Sequence, residues 1–134
     1  HPGGNLGKRL FLKVEDLIDT NILPKVDISD LMKDVIIEIS NKMLGIAAVL
    51  DENKIVGVIT DGDLRRQLLK SQDISKVKAI EIMTKSPKII EKTLLATEAL
   101  AIMKRNKISQ LIVAEKNNYI GVLHIQSLIK EGII

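Results

Sequence analysis

Apolar and polar residues follow two periods along this chain, one typical of strands and one typical of helices. The short runs 47–50 and 55–59 are rich in β-branched residues and flank the polar stretch 51–54, a pattern that predicts a β-hairpin. Before this hairpin, apolar residues recur every three or four positions and predict an amphipathic helix with Ser29 as its N-cap. The apolar face of this helix is formed by Leu31, Val35, Ile36, Ile39 and Met43.

The same order of elements returns about 64 residues later, so that Gly121 occupies the position of Gly57. The second hairpin is predicted from residues 111–114 and 119–123, and the helix before it has Thr93 as its expected N-cap. The apolar face of that helix is formed by Leu95, Ala99, Leu100 and Met103. A short extended piece precedes each helix, at 24–26 and 87–90, so each copy reads strand–helix–strand–strand–helix.

This duplication predicts an α/β fold, more narrowly α+β, built from two similar motifs. One copy has too few strands and too little core to be stable alone. We therefore expect the copies to pack sheet to sheet about a pseudo-twofold axis, with clefts between them. The expected boundaries are 1–12 for a leading tail, 13–72 for the first motif and 73–134 for the second.

A strand that ends at Thr60 turns directly into the first turn of a helix. Asp61 and Asp63 stop the apolar run 56–59, and apolar residues then resume with helical spacing. Such a corner gathers backbone N–H groups, a hydroxyl and two carboxylates, which suits the binding of a small polar ligand. The alternative is that Asp61 or Asp63 only caps the helix.

The composition narrows the classes of partner. The 134 residues are 46% hydrophobic, carry a net charge of +3 and include no cysteine, which excludes disulfides, thiol catalysis and cysteine zinc sites. Phe11 and Tyr119 are the only aromatic residues, too few for a base-stacking platform, and no basic stripe is present. No apolar run is long enough for a membrane span. We expect a cytoplasmic piece of a longer chain, without nucleic-acid or membrane partners.

Two sets of residues resemble known families. The segment from Gly57 to Asp63 reads Gly-Val-Ile-Thr-Asp-Gly-Asp and resembles the Gly-x-x-Thr-x-x-Asp signature of CBS motifs, so the repeat is similar to a tandem CBS pair, or Bateman module. The opening His-Pro-Gly-Gly, the segment 60–66 and the run 121–124 resemble the C-terminal part of arabinose 5-phosphate isomerases of the KpsF/GutQ type. In that family a sugar-isomerase (SIS) domain precedes the CBS pair and interconverts ribulose and arabinose 5-phosphates at the start of Kdo synthesis.

The CBS resemblance implies a nucleotide ligand and no cofactor. The candidates are AMP, ADP, ATP or, by the logic of feedback in the pathway, the sugar nucleotide CMP-Kdo. Asp63 is expected to accept two hydrogen bonds from ribose hydroxyls, and the Thr60 hydroxyl to contact sugar or phosphate. Lys25 and Val26 are expected to offer backbone groups to the base edge.

Other residues of the candidate site have less certain roles. Asp61 would repel a phosphate unless it points away or is screened, and Arg65 is either a phosphate ligand or a solvated helix residue. In the second copy His124 replaces Thr60 and Ser127 replaces Asp63, which predicts a weaker site without metal, since no clustered ligand accompanies His124. The resemblance gives His1 a catalytic role only beside the SIS domain.

Two functions remain open for the module, and catalysis by this chain itself is not expected because no nucleophile–base pair or metal cluster is visible. In the first, a nucleotide binds the cleft and regulates the SIS domain of the same chain. In the second, the module forms a homodimer that holds a tetrameric isomerase together, with a vestigial cleft.

Overall fold

A computed structural model describes residues 7–134 of the chain. These residues form two compact units, one made of Ile22–Pro87 and the other of residues 7–21 together with Lys88–Ile134. Both units combine helices with a small sheet, so the expected α+β class is confirmed. No helix in the described range is long and apolar enough to cross a bilayer.

The first unit contains a sheet in the order β1-β2-β3-β4. Strand β1 runs parallel to β2, whereas β2–β3 and β3–β4 are antiparallel, and the predicted hairpin is β2–β3. Its turn places Glu52 and Asn53 at φ 48° and 68°, as a tight hairpin turn requires. The elements are β1 Lys25–Asp27, α1 Met32–Lys42, β2 Ile46–Asp51, β3 Lys54–Thr60, α2 Asp61–Lys70, α3 Ala79–Ile82 and β4 Thr84–Lys85.

The second unit repeats this pattern with a sheet in the order β5-β6-β7. A 3₁₀ turn at Val14–Asp16 precedes it along the chain and corresponds to α3 of the first unit. Strand β5 is parallel to β6, and β6–β7 is the second predicted hairpin. The elements are β5 Ile89–Glu91, α4 Ala96–Asn106, β6 Gln110–Glu115, β7 Asn118–His124 and α5 Ile125–Lys130.

The compact units do not coincide with the two sequence repeats, because each unit contains residues of both. Ala79 and Ile82, which lie at the start of the second repeat, are buried in the apolar core around α1, β2 and β3. Val14, which lies at the start of the first repeat, is completely buried in the core around α4, β6 and β7. Each core is therefore completed by the opening segment of the other repeat.

These segments also cap the helices, which overturns two predictions. Helices α1 and α4 begin at Met32 and Ala96, so Ser29 and Thr93 are not their N-caps. The N–H of Met32 donates to the Val77 carbonyl, and the N–H of Ala96 donates to the Leu12 carbonyl, both at 2.8 Å. Because distant backbone carbonyls satisfy these first-turn donors, no capping side chain is needed.

Ser29 and Met43 do not have the roles predicted for them, which were the N-cap and the last apolar-face residue of α1. The Ser29 hydroxyl and N–H both donate to Oδ2 of Asp27, and these bonds lower the pKa of the Asp27 carboxyl. Met43 is 83% exposed at the left-handed C-terminal position of α1, whereas Met32 is completely buried at its start. The buried face of α1 therefore begins one residue later than predicted, at Met32, and ends four residues earlier, at Ile39.

Gly57 of the signature lies where strand β4 pairs with β3. A Cβ atom at Gly57 would lie 2.8 Å from the Thr84 carbonyl oxygen and 2.7 Å from Sδ of Met83. At the equivalent Gly121, a Cβ atom would meet only the end of the Ile18 side chain, at 3.2 Å. The first glycine is thus required by a close backbone approach, and the second faces a side chain that can move.

We expect Gly57→Ala to lower the free energy of unfolding by about 1–3 kcal/mol, because the added methyl group forces β4 away from β3. Urea denaturation followed by circular dichroism measures this loss. Gly121→Ala is the matched control and is expected to lose clearly less. Equal losses at the two positions would contradict the close approach at Gly57.

Candidate functional site

Thr60 and Asp63 are joined by reciprocal hydrogen bonds at the corner between β3 and α2. The Thr60 N–H donates to Asp63 Oδ2 at 2.9 Å, and the Asp63 N–H donates to Thr60 Oγ1 at 3.3 Å. The Thr60 hydroxyl also lies 3.2 Å from Asp63 Oδ2. This is a capping box in which aspartate takes the place of the usual glutamate. Asp63 therefore has the helix-capping role that was given above as the alternative.

The Asp63 carboxylate is also the one buried charged group in the described residues, with 8% of its surface exposed. Its Oδ1 accepts a hydrogen bond from Arg66 Nη2 at 2.7 Å and a longer one from the Thr84 hydroxyl at 3.3 Å. The charge is thus paired within α2 and also tied to β4. A buried carboxylate needs such partners, because desolvation without them is costly.

A hollow of about 170 Å³ lies beside Asp63. Two cations of α2, Arg66 and Lys70, reach this hollow together with Glu81 of α3. The remaining lining residues are Asp63, Gln67 and Ile82. The site therefore offers a buried carboxylate next to positive charge, in a space that is open to a small polar group.

Asp61 and Arg65 stay outside this network. Both are exposed, and neither side chain forms an ion pair or hydrogen bond among residues 7–134. The backbone N–H of Asp61 donates to the Gly45 carbonyl at 3.1 Å. The Asp63 N–H is bonded to Thr60. The backbone donor that remains in the first turn of α2 is therefore the N–H of Gly62.

Lys25 and Val26 line a second hollow of about 350 Å³. It is bordered by Asp27, Asp30, Leu50, Glu52 and Asn53, and shares no lining residue with the hollow at Asp63. The Lys25 N–H, expected to face a base, donates to Glu38 Oε2 at 3.0 Å. Partial burial by itself raises the pKa of Glu38, but hydrogen bonds from Lys42 and Lys25 and their charges bring it below its ordinary value.

The second copy has a different corner. His124 caps α5 through Nδ1, which accepts a hydrogen bond from the Gln126 N–H at 3.0 Å, and burial lowers the pKa of this imidazole. Ser127 is half-buried on a helix of only six residues. Among the described residues, no three potential ligands come together as a metal site. His1 lies outside the described residues.

Arg66 and Thr84 contact the candidate ligand-binding carboxylate and were missed by sequence reasoning. Arg66 follows Asp63 by three residues, a spacing that brings opposite charges together on a helix and was a usable signal. Thr84 lies 21 residues from Asp63 along the chain, and no local pattern indicates that contact.

The two units define a duplicated α+β module with a carboxylate-bearing strand–helix corner in one copy. The CBS domain model matches residues 14–70 and 77–133. The chain belongs to the CBS domain family, as the signature at Gly57–Asp63 predicted.

Relatives match over nearly the whole chain. An uncharacterized protein of Helicobacter pylori (strain J99) is 45% identical over 99% of this chain and 41% of its own length. Arabinose 5-phosphate isomerase KdsD of Pseudomonas aeruginosa is 40% identical over 100% of this chain and 42% of its own. The chain thus spans about two fifths of the length of these relatives.

Solved structures share the fold at lower identity. A CBS domain structure gives a TM-score of 0.83 at 20% identity, covering 92% of this chain and 98% of the other. A CBS domain protein from Pyrobaculum aerophilum, complexed with AMP, gives 0.79 at 19% identity and covers 92% of this chain and 100% of the other. These structures confirm the fold.

The His124 cap predicts a dependence of stability on pH. The neutral imidazole accepts the Gln126 N–H, whereas protonation removes that acceptor and adds positive charge at a helix N-terminus. Because the folded pKa is lowered, the unfolded chain takes up the proton first. The contribution is therefore complete above the ordinary histidine pKa and is lost as the pH falls.

We expect the free energy of unfolding to fall between about pH 7.5 and pH 5.5 more steeply in the parent chain than in His124→Asn, whose side chain still caps without titrating. Urea denaturation at several pH values measures both slopes. His1 is present in both proteins, so it does not contribute to the difference between the two slopes. Parallel slopes would contradict a neutral His124 cap.

Proposed function

We propose that this chain is the nucleotide-binding regulatory module of an arabinose 5-phosphate isomerase, with Thr60 and Asp63 as the ribose-binding residues. The observation that carries the proposal is the buried Asp63 carboxylate. Asp63 lines a hollow, and its Oδ1 is held by an exposed arginine and a long bond from Thr84. A vicinal diol donates two hydrogen bonds and matches the two positions on Oδ1.

The ligand class follows from that chemistry and from related folds. AMP, ADP and ATP each carry a ribose diol and a phosphate, and the Pyrobaculum CBS protein is complexed with AMP. CMP-Kdo carries a ribose diol in its CMP part and is the feedback ligand that fits an enzyme at the start of Kdo synthesis. We keep Lys25 and Val26 as the residues near the base and His124 and Ser127 as a weaker second site.

The parent enzyme is inferred from the relatives. The KdsD match extends over the complete chain, and the remaining three fifths of that relative leave room for a SIS catalytic domain. We propose that such a domain precedes this module in the same cytoplasmic protein. For the nucleotide to regulate it, the ligand must bind two conformations with unequal affinity.

Calorimetric titration of the 134-residue chain with AMP, ADP, ATP and CMP-Kdo tests the ligand proposal. Asp63→Asn is expected to weaken binding about tenfold or more, because the amide cannot accept charge-assisted bonds from the diol. Asp61→Asn removes the same charge two residues away and is the matched control. It is expected to leave binding unchanged or slightly tighter, since a carboxylate near the phosphate is repulsive.

Two results would count against this function. Absence of heat with all four ligands would leave the module without its proposed nucleotide. Equal weakening by both asparagine variants would point to a general effect of charge, rather than to a diol on Asp63. Thermal melts of both variants, recorded at ligand concentrations below saturation, show whether a variant is unfolded. A loss of binding that comes only from unfolding is identified in this way.

A second function, assembly, is favoured by the exposed apolar end of α2. Leu69 is 88% exposed, and Leu68 next to it is 45% exposed. Burial of these side chains against a second copy of the chain would stabilise a homodimer, and through it a tetrameric parent.

Sedimentation velocity over a wide concentration range tests this assembly. Leu69→Lys is expected to shift the dimer toward the monomer, whereas Arg65→Gln, an exposed change on the same helix, is not. A parent chain that stays monomeric at the highest concentration would exclude assembly through this helix.

A further inference from the structure

We propose that Arg66 makes the site selective for phosphorylated ligands. In this structure it neutralises Asp63; on binding, it gives up Oδ1 to the ribose hydroxyls and pairs with the phosphate. This inference rests on the nucleotide-binding function proposed above, and it assigns to Arg66 the role that sequence reasoning considered for Arg65.

Each oxygen of the Asp63 carboxylate already accepts two hydrogen bonds. Oδ2 is occupied by the N–H and the hydroxyl of Thr60, which together hold the start of α2. Oδ1 is occupied by Arg66 and by the Thr84 hydroxyl. A ribose diol therefore reaches Asp63 only by replacing these last two donors, which is an exchange of two hydrogen bonds for two.

The two partners of this ion pair, Asp63 and Arg66, differ strongly in exposure. The Asp63 side chain is 8% exposed and cannot follow the ligand outward, whereas the Arg66 side chain is 68% exposed. An exposed arginine regains water when it leaves an ion pair, so its departure costs little. The ion pair is therefore replaceable from the arginine side.

The guanidinium group of Arg66 lies beside the first turn of α2. It lies across Gly62, where a Cβ atom would be 3.3 Å from Nη1 and 3.4 Å from Nη2 of Arg66 and 3.6 Å from the Thr60 hydroxyl oxygen. Lys70 lines the same hollow. A phosphate that follows the ribose into this hollow meets a guanidinium that no longer has a carboxylate partner, and arginine binds phosphate well.

Arg65 does not have these contacts. It is exposed, forms no ion pair within residues 7–134, and stands two positions from Asp63, a separation that places side chains on different helix faces. The two adjacent arginines of α2 thus provide a residue and its matched control.

The test compares AMP with adenosine, which share the ribose and differ in the phosphate, by calorimetry on the 134-residue chain. For Arg66→Gln we expect AMP to bind about tenfold more weakly, because a charge-assisted phosphate contact is lost. Adenosine is expected to bind about twofold to threefold more tightly, because the competitor for Oδ1 is weaker. Arg65→Gln is expected to change both affinities by less than about twofold.

Gly62→Ala tests the same idea without removing a charge. Its methyl group would force the guanidinium, the end of a flexible side chain, to shift by a few tenths of an ångström while leaving the arginine in place. Adenosine should then gain in the same direction as in Arg66→Gln but by less, and AMP should also lose clearly less. Alanine is the better helix former, so this variant is expected to stay folded, and a thermal melt checks it.

The outcomes separate this inference from the proposed function. If the parent chain binds AMP and Asp63→Asn abolishes binding, but Arg66→Gln and Arg65→Gln behave alike, the role of Arg66 is overturned and the ribose site stands. If Arg66→Gln weakens AMP and adenosine equally, its role is structural and the inference is also overturned. If the parent chain binds neither AMP nor adenosine, this inference is overturned, and the nucleotide-binding function fails as well if ADP, ATP and CMP-Kdo also give no heat.

Discussion

A buried carboxylate holds the corner of the first unit together, and the elements around it depend on keeping that charge satisfied. Asp63 bonds to its own helix start through Thr60, to the next turn through Arg66 and to strand β4 through Thr84. Removal of any partner leaves part of a buried charge unpaired, which is a large penalty in a protein interior. The glycine at position 57 belongs to the same arrangement, because only a residue without a side chain lets β4 approach closely enough to present Thr84.

Helix capping by Asp63 is compatible with the proposed ligand binding, because each uses a different oxygen of the carboxylate. Oδ2 accepts the hydrogen bonds of Thr60, and Oδ1 accepts those of Arg66 and Thr84, which a diol would replace under the proposed function. Under the proposed function, a nucleotide that takes the place of Thr84 also releases one tie of a two-residue strand. That strand leads through Pro87 into the second unit.

The second unit shows how the same architecture works without that carboxylate. His124 supplies the cap through a ring nitrogen, and Ser127 stands where Asp63 would be, so no charge has to be neutralised there. Correspondingly, Gly121 is covered by a side chain, and within the described residues the sheet ends at β7. The two copies thus share their architecture and differ at the corner, where only the first copy has a buried carboxylate among the described residues.

Sequence reasoning alone determined the hairpins, the amphipathic helices and the position of Thr60 and Asp63 at one strand–helix corner, because each depends on residues at most a few positions apart. It also determined the duplication, because the same local pattern returns along the chain. The tertiary structure alone decided that Val77 and Leu12 cap α1 and α4 in place of Ser29 and Thr93, and that α3 and the 3₁₀ turn complete the opposite cores. It also decided that Thr84 reaches Asp63 from 21 residues away. Those contacts join segments that are distant along the chain, and a local pattern of apolar and polar residues carries no information about which distant backbone carbonyl or hydroxyl will be brought beside a helix end.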